Sequence, residues 1–524
     1  MPAQLRPSIF NDVVGPIMRG PSSSHSAASV RIGRIARDLC GGQPDRVLVE
    51  FDTEGSLPTT HASQGSDMGL FGGLLGWDAD DERLPHSRAA LRDAGVALEI
   101  RYAELHDPHP NTYRLTLWRG SAQHRLVAIS TGGGMIEVIE IDGTAVSLFG
   151  DYDVMLVRMR DAGAARAAAE RLADHVEVTD AREVFAILCG HEFVSEERIS
   201  AIDGVVGVHR LSAVLPVRSR KDLSVPFLHA GQLAVHADLE GQPLSDFALQ
   251  YECARGGIDD EAVFARMRHI LEIIASGVAN GLAGTEHPDR VLPRQSHRFA
   301  ERLAKGSLLA SGLLNTAILH VTALMEVKSS DGVFVAAPTA GSCGTFAGTC
   351  HAAFEQLGTA EEPALRALLA GGLIGVFVAT RSSFAAEVGG CQAETGAGAA
   401  MAAAALVELG GGSAAQSLSA ASHAIQNALG LVCDPVANRV EAPCLGRNIA
   451  GAANAIASAN MALSGYDHLI PLDEVLDAHR EISERMAREL RCTALGGLSI
   501  TPTSKAIEAK LCGGNAHGGC ANCR

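Results

Sequence analysis

Aromatic residues and clustered positive charge are both scarce in this chain of 524 residues. Aromatics make up 4% of the sequence, whereas glycine alone contributes 56 residues. Small side chains let helix axes approach closely, so this composition favours close-packed helices. The formal net charge is -17 and no basic stripe is present, which argues against a nucleic-acid partner because phosphate binding needs clustered Lys and Arg.

The N-terminus also lacks the uninterrupted apolar core of a signal peptide. One apolar run, ALRALLAGGLIGVFVAT at residues 364–380, reaches the length of a short membrane span. Arg366 and three glycines interrupt it and polar turns flank it, so the pattern predicts a buried helix. We therefore expect a cytoplasmic protein with no membrane partner.

The 12 cysteines are too dilute for a disulfide scaffold, which a reducing cytosol would oppose in any case. They are unevenly distributed, with most of them in the C-terminal third. From Cys343 onward they are Cys343, Cys350, Cys391, Cys433, Cys444, Cys492, Cys512, Cys520 and Cys523. This distribution indicates that the C-terminal third uses thiols.

The pattern of apolar residues predicts a multidomain protein. Residues 1–148 form an N-terminal α+β domain with polar loops, because strand-like runs such as RVLVEFD and YRLTLWR alternate with helical and glycine-rich segments. Residues 149–222 predict a β-α-β-β-α-β order, which suits a small ACT-like regulatory module. Residues 223–511 are mostly α-helical, with irregular loops that carry Cys, Asn and Glu, and residues 512–524 form a Cys-rich tail.

Cys391, Cys433 and Cys444 each lie at a predicted helix–loop junction beside Gly or Pro, where backbone can approach a cofactor closely. Thiolates are good ligands for iron–sulfur clusters because sulfur is a soft donor. Three of them would hold three corners of a 4Fe-4S cube and leave the fourth iron free as a Lewis acid. The spacing alone leaves open the alternative that these are buried small apolar residues.

The segments GLVCDPVANRVEAPCLGRN, GGCQAETG and APTAGSCGT resemble the alpha domain of the iron–sulfur-dependent L-serine dehydratases. Upstream, GPSSSHS, GGLLGW, HPNT and TGGGMIEVIEIDG resemble the beta domain of that family, so the resemblance is to its single-chain form. It implies that Cys391, Cys433 and Cys444 hold a 4Fe-4S cluster. It also implies an L-serine ammonia-lyase that needs no pyridoxal phosphate and forms pyruvate and ammonia.

The base that takes the α-proton is expected to be a neutral histidine. Three candidates lie in predicted loops of the first domain: His25 in PSSSHS, His61 in TTHASQGSD and His109 in DPHPNT. The family resemblance brings a departure, because Gln64 stands where the family loop G-H-G-T-D has its histidine. Glutamine cannot accept a proton at neutral pH, so His61 or His109 takes over the role, or the substrate differs from serine.

Other polar residues are candidates for binding the substrate. They are Ser22, Ser23, Ser24, Asn111, Thr112 and Arg447. Hydroxyl and backbone N–H groups suit a carboxylate, and a guanidinium binds one bidentately. For Arg447 the alternative is a surface residue near a helix end.

The C-terminal tail LCGGNAHGGCANCR has three interpretations. The family resemblance implies a cysteine that folds back to the open iron, here Cys523 or Cys512. A zinc site from Cys512, His517, Cys520 and Cys523 is the second, and a disordered glycine-rich tail is the third.

Two alternatives to serine dehydration follow from Gln64. The same elimination can act on L-threonine or another β-substituted amino acid, or the protein is a non-catalytic amino-acid-sensing homologue. In each case the partner is a small amino acid, and a homodimer is the expected assembly.

Overall fold

The computed structural model describes residues 6–172, 176–180, 183–220, 223–236, 239–287 and 290–514. Its helices are α1 Ala28–Leu39, α2 Leu57–Thr60, α3 Ser66–Leu74, α4 Ser87–Asp93, α5 Ala162–Leu172, α6 Glu196–Ser200, α7 Ala230–His236, α8 Leu244–Gly256, α9 Asp260–Ala283, α10 Ser296–Ala304, α11 Leu313–Ser329, α12 Thr349–Leu357, α13 Glu361–Arg381, α14 Ala386–Gly389, α15 Ala397–Leu409, α16 Ala414–Ala428, α17 Cys444–Leu463, α18 Leu472–Arg485 and α19 Pro502–Gly514. Its strands are β1 Ile17–Met18, β2 Arg46–Asp52, β3 Ala97–Ala103, β4 Thr112–Arg119, β5 Ala122–Gly132, β6 Met135–Ile141, β7 Thr144–Leu148, β8 Asp153–Met159, β9 Val176–Asp180, β10 Val184–Gly190, β11 Val205–Leu211 and β12 Phe334–Val335.

The chain divides into two compact units. The helical unit contains Met1–Ser23, Ala62–Gln64 and Ser224–Arg524. The sheet unit contains Ser24–His61 and Gly65–Leu223. The division into four segments that the sequence predicts stays a prediction, although the α/β character of the N-terminal region and the helical character of the C-terminal region are confirmed.

A six-stranded sheet in the order β3-β2-β4-β5-β6-β7 is the centre of the sheet unit. Only the β2–β3 pair is parallel, and the other neighbours are antiparallel. Val47, Val49 and Phe51 lie two residues apart along β2 and therefore point to the same buried face. Helices α1 and α3 pack against each other at glycines, since a Cβ on Gly33 would lie 2.5 Å from the carbonyl oxygen of Leu70.

A second, four-stranded sheet lies in the same unit, in the order β11-β8-β10-β9. Its strands and helices follow one another along the chain as β8-α5-β9-β10-α6-β11. Neighbouring strands in this sheet are antiparallel. One face of the sheet buries Leu156, Ile187 and Leu211 in the same core as the six-stranded sheet.

Helix α13 contains the apolar run that the sequence predicts to be a buried helix. It is long and apolar enough to cross a membrane, but 78% of its most apolar 18-residue window is buried inside the protein. Its glycines allow neighbours to approach closely, since a Cβ on Gly371 would lie 2.8 Å from the carbonyl oxygen of Met401 and one on Gly372 would lie 2.6 Å from Ile9 Cγ2. Helix α13 is thus a core helix of the helical unit.

The GSLPTTHASQGSD segment differs from its expected loop conformation. It contains helix α2 and leads into α3 at Ser66. Short π-helical turns, Ser23–Ala27 and Gln392–Gly396, are a second difference. Sequence periodicity does not identify them because each is only one turn long.

Candidate metal centre

Cys391, Cys433 and Cys492 form one buried group in the helical unit. Cys391 follows α14, Cys433 follows α16, and Cys492 lies between α18 and α19, so three separate segments supply them. The backbone N–H of Cys433 donates to the carbonyl oxygen of Leu490 at 2.8 Å, and that of Cys492 donates to the carbonyl oxygen of Cys433 at 3.0 Å. These two bonds fix Cys492 beside Cys433.

Cys444, the third cysteine expected as a ligand, is the first residue of α17. It is buried, and it interacts electrostatically with Cys391. Burial raises the pKa of Cys444, Lys328 opposes this rise, and the charge of Cys391 adds to it. The structure therefore brings Cys391, Cys433 and Cys444 together in one unit, and it adds Cys492.

Cys433 and Arg447 both lower the pKa of Cys391. Its Nη1 donates to Cys391 Sγ at 3.3 Å and to the carbonyl oxygen of Val432 at 2.7 Å, while its Nη2 donates to Asp434 Oδ1 at 2.6 Å. A hydrogen bond from Cys433 lowers the pKa of Cys391 to about 7 against the effect of burial, and the charge of Arg447 contributes in the same direction. The pKa of Cys433 is raised by the same hydrogen bond to Cys391.

A partly buried carboxyl, that of Glu394, and a buried amine, that of Lys328, lie near the thiols, and the sequence alone indicates a role for neither. One oxygen of Glu394 and the sulfurs of Cys391 and Cys433 lie within 4.8 Å of one another. Glu394 Oε1 accepts from Thr339 Oγ1 at 2.7 Å, and burial raises the pKa of Glu394 to about 8, so the carboxyl is mostly neutral at pH 7. The Lys328 ammonium is fully buried and donates to the carbonyl oxygen of Val440.

Gln64 belongs to the short segment Ala62–Gln64 of the helical unit and is almost completely buried. Its Nε2 donates to Asn438 Oδ1 at 3.0 Å and to Cys492 Sγ at 3.5 Å. Asn438 itself has a positive φ of 54°, which is uncommon for a residue other than glycine. Gln64, which stands where the family loop has its histidine, thus contacts the thiol of Cys492.

His25 and His109 occur in one hydrogen-bonded network of the sheet unit. His25 Nδ1 lies 3.1 Å from Ser24 Oγ, and its Nε2 lies 2.8 Å from Thr60 Oγ1. Thr60 Oγ1 donates to the carbonyl oxygen of Ser56 at 2.8 Å, and the Ser56 hydroxyl contacts Asn111 Oδ1. Since Thr60 uses its proton on Ser56, the Nε2 of His25 carries the ring proton.

His109 continues this network through its ring and its carbonyl group. Its Nδ1 accepts from the backbone N–H of Asn111 at 3.2 Å, and its carbonyl oxygen accepts from Thr112 Oγ1 at 2.7 Å. The neutral ring of His109 therefore carries its proton on Nε2. Asn111 Nδ2 is buried and has no hydrogen-bond partner among the described residues.

His61 is held between a carboxylate and a phenol. Its Nδ1 lies 2.6 Å from Asp67 Oδ1, and its Nε2 lies 2.7 Å from the Tyr102 hydroxyl. Arg88 Nη2 donates to the other oxygen of Asp67 at 2.5 Å. Because Asp67 accepts the Nδ1 proton, the lone pair of the neutral His61 ring is on Nε2.

The remaining candidates lie apart from these groups or outside the described residues. Ser23 Oγ accepts from the backbone N–H of Ala340 at 3.1 Å in the helical unit, and Ser22 is partly buried. Helix α19 is described to Gly514, but the side chain of Cys512 and all of Cys523 lie outside the described part of the chain. His517 and Cys520 also lie outside it, so the expected tail cap and the zinc site stay predictions.

Comparison with known proteins decides the family. The family described as serine dehydratase alpha chain matches residues 177–499, which is more than half of the chain. L-serine dehydratase TdcG of Escherichia coli (strain K12) is 32% identical over 516 residues, covering 92% of this chain and 96% of that protein. The chain belongs to the L-serine dehydratase family. It is therefore an enzyme, and the sequence resemblance is confirmed.

Two separate proteins of Bacillus subtilis (strain 168) match different parts of this L-serine dehydratase family member. The probable L-serine dehydratase alpha chain is 39% identical over 271 residues, which cover 52% of this chain and 90% of that protein. The probable L-serine dehydratase beta chain is 40% identical over 154 residues, which cover 29% of this chain and 69% of that protein. The single chain thus resembles both an alpha and a beta chain.

The thiols of this L-serine dehydratase family member fit an iron–sulfur cluster. Four buried cysteines meet in one unit, and all cysteines in the described residues are free of disulfides. Thiolate sulfur is the donor that such clusters require, and Arg447 already favours the ionised form of Cys391. Cys391, Cys433 and Cys444 are recognisable from the sequence, but Cys492 is not. Cys492 lies beside Cys433 because Arg491 and Cys433, which are distant in sequence, form an isolated β-bridge.

Proposed function

We propose that this protein converts L-serine to pyruvate and ammonia with the help of a 4Fe-4S cluster. The α-proton and the β-hydroxyl leave as water, which gives 2-aminoacrylate. This enamine tautomerises to the imine, and one water hydrolyses the imine to pyruvate and ammonia. When bound, the cluster supplies an iron that acts as a Lewis acid on the β-hydroxyl, which is otherwise a poor leaving group.

One observation carries this proposal: the buried group of cysteines in the helical unit. Cys391, Cys433 and Cys444 are the ligands that the family resemblance implies, and they interact with one another through hydrogen bonds and charge. Buried thiols that serve only as small apolar residues have raised pKa values, as Cys343 does at about 12. Cys391 differs from such packing residues, because hydrogen bonds from Cys433 and Arg447 reach its sulfur and lower its pKa.

Arg447 is proposed to stabilise the thiolate of Cys391. The sequence suggests that it binds the substrate carboxylate, but both of its terminal nitrogens already have partners in the structure. Nη1 donates to Cys391 and Val432, and Nη2 donates to Asp434. A guanidinium that is always charged is suited to holding a ligand sulfur in its ionised form.

His61 is the residue that we propose as the general base. Asp67 fixes its tautomer so that the proton-accepting lone pair is on Nε2, in the same way that a carboxylate orients a catalytic histidine in other enzymes. The Nε2 atom of His61 lies 2.7 Å from the Tyr102 hydroxyl, and the Nδ1 atoms of His25 and His109 likewise accept hydrogen bonds, from Ser24 and from the backbone of Asn111. His109 and His25 stay the alternative candidates.

Asn111 is proposed to bind the substrate carboxylate. Its Nδ2 is a buried donor with no partner in the described residues, and a buried donor without an acceptor is costly, so a ligand oxygen would stabilise it. The hydroxyls of Ser22 and Ser23 are proposed as further donors, whereas the hydroxyl protons of Ser24 and Thr112 are already donated to His25 and to the carbonyl oxygen of His109.

The alternative substrate is L-threonine or another β-substituted amino acid, and Gln64 is the observation that favours it. Gln64 stands where the family loop has its histidine, and it is buried against Asn438 and Cys492. This position therefore holds an amide in place of a group that can accept a proton. The elimination would be the same as for L-serine, but the Cβ of the substrate would carry different substituents.

Three further proposals concern the whole protein. The element order β8-α5-β9-β10-α6-β11 supports an ACT-like regulatory role for that segment. The free thiols support a cytoplasmic location, because a reducing compartment keeps thiols unpaired. A homodimer is the commonest assembly for a soluble enzyme.

The test is an anaerobic screen of amino acids for release of keto acid and ammonia, combined with iron analysis. We expect brown protein that forms pyruvate from L-serine, whereas Cys433→Ser loses the colour, the iron and the activity. Cys350→Ala is the matched control, since Cys350 is a buried thiol of the same unit whose pKa is raised by burial alone. Full activity in a colourless, iron-free preparation would refute the cluster, and L-threonine as the best substrate would favour the alternative.

A further inference from the structure

Cys492 is the thiol nearest to the proposed cluster ligands for which neither the sequence nor the family resemblance gives a role. Its side chain is buried with Cys391 and Cys433, and the Cys433 sulfur forms hydrogen bonds with both of the others. Cys433 therefore interacts with both of the other thiols.

The backbone holds Cys492 in this place from two directions. Cys433 and Arg491 form an isolated parallel bridge, with the hydrogen bonds from Cys433 to Leu490 and from Cys492 to Cys433 on either side. Cys492 also has a positive φ of 57°, a backbone conformation that costs most residues free energy and that glycine adopts freely. The chain thus keeps a side chain where glycine would be less strained.

Gln64 supplies the second feature that points to a ligand sulfur. Its amide N–H donates to Cys492 Sγ at 3.5 Å, its amide oxygen lies 3.8 Å from the same sulfur, and its contact with Asn438 holds the amide in that orientation. Hydrogen bonds to ligand sulfurs are a general means of stabilising iron–sulfur clusters. Glutamine cannot accept a proton, so this role explains why the departure from the family histidine is compatible with a working site.

A cube of four irons that is bound by thiolates alone needs four of them. Cys391, Cys433 and Cys444 would hold three corners, and Cys492 is a fourth buried cysteine beside Cys433. We infer that Cys492 is a fourth thiolate ligand of the cluster in the substrate-free enzyme. This inference depends on the proposed function for the cluster itself, and it assigns to Cys492 the capping role that the sequence analysis gives to Cys512 or Cys523.

The test is Mössbauer spectroscopy of anaerobic, substrate-free protein loaded with iron-57. An iron bound to oxygen or nitrogen in place of thiolate differs in isomer shift from the other irons of the cube. We expect four similar irons in the wild type and in Cys350→Ala, the matched buried-thiol control. In Cys492→Ala and Cys492→Ser we expect one iron in four to shift.

The outcomes separate the inference from the proposed function. Loss of the cluster from both Cys492 variants would also support ligation, provided that Cys350→Ala keeps the unfolding temperature of the wild type. A wild-type spectrum with one distinct iron that Cys492→Ala leaves unchanged would overturn the inference and leave the proposed function intact. Four similar irons in Cys492→Ala would overturn it as well, since another thiolate would then be the fourth ligand. Wild-type protein that binds no cluster would contradict the proposed function itself.

Discussion

At the scale of the residue, charge around single side chains sets the chemistry that each can perform. Arg447 and Cys433 lower the pKa of Cys391 to about 7, so that this thiol is partly ionised at neutral pH. Glu394 lies in the same group with a pKa raised to about 8, because burial disfavours its charged form. Metal ligation by cysteine needs the thiolate, which the surroundings of Cys391 favour.

The prediction at this scale concerns His61. We expect His61→Ala to lower kcat by about 10²–10⁴-fold, the usual contribution of a general base. Asp67→Asn should also lower kcat, because an amide does not fix the tautomer that places the lone pair on Nε2. The measurements are pyruvate release and exchange of the α-hydrogen with deuterated solvent, with iron content determined on the same samples.

His86→Ala is the control for this prediction, since His86 is an exposed histidine of the same unit. It should retain wild-type turnover. If His61→Ala turns over normally while His109→Ala loses activity and keeps its iron, the base is His109 and our assignment is wrong.

At the scale of the element, glycine determines how closely helices of the helical unit approach one another. On α13, a Cβ at Gly371 would lie 2.5 Å from Phe346 Cε2 as well as close to the carbonyl oxygen of Met401. Backbone cannot yield as a flexible side chain can, so added volume at this position strains the contact between α13 and α15.

We therefore predict that Gly371→Ala destabilises the protein by about 1–3 kcal/mol, the usual cost of overpacking a core. Gly446→Ala in α17 is the matched control, because nothing lies within 4 Å of the added Cβ. The control should gain up to about 1 kcal/mol from the better helix propensity of alanine. Both values come from chemical denaturation of the metal-free protein, and an equal effect of the two substitutions would contradict this account of the packing.

The sequence predicts most elements but not the short ones. RVLVEFD and YRLTLWR alternate strongly and become β2 and β4, and the run at 364–380 becomes α13, which extends to Glu361–Arg381. Helix α2 and the π-helical turns are missed because one turn has no measurable periodicity. Local pattern therefore identifies the frame of the molecule, whereas its irregular turns depend on tertiary contacts.

The site shows the same limit. Cys391, Cys433 and Cys444 are recognisable because each lies within a family segment of the sequence, and the structure brings them together. Cys492, Glu394 and Lys328 are missed because their proximity to the thiols depends on the fold. Burial of a lysine or a glutamate cannot be inferred from its own neighbours in sequence, since these residue types are exposed in most proteins.

At the scale of the whole molecule, the chain combines segments that resemble an alpha and a beta chain in a single polypeptide of 524 residues. The thiols and Gln64 belong to the helical unit, and His25, His61 and His109 belong to the sheet unit. Family membership and the cysteine group together support one account. In the proposed mechanism, a cluster held by Cys391, Cys433 and Cys444 would be the centre at which the amino acid loses its β-substituent.

The measurement that tests this account most directly is Mössbauer spectroscopy of the iron-57 wild-type enzyme before and after addition of saturating L-serine. The account predicts that the signal of one iron in four changes on addition of L-serine, while the other three, bound to protein sulfur, stay the same. A spectrum that L-serine leaves unchanged, in a sample that releases pyruvate at its full rate, would contradict it.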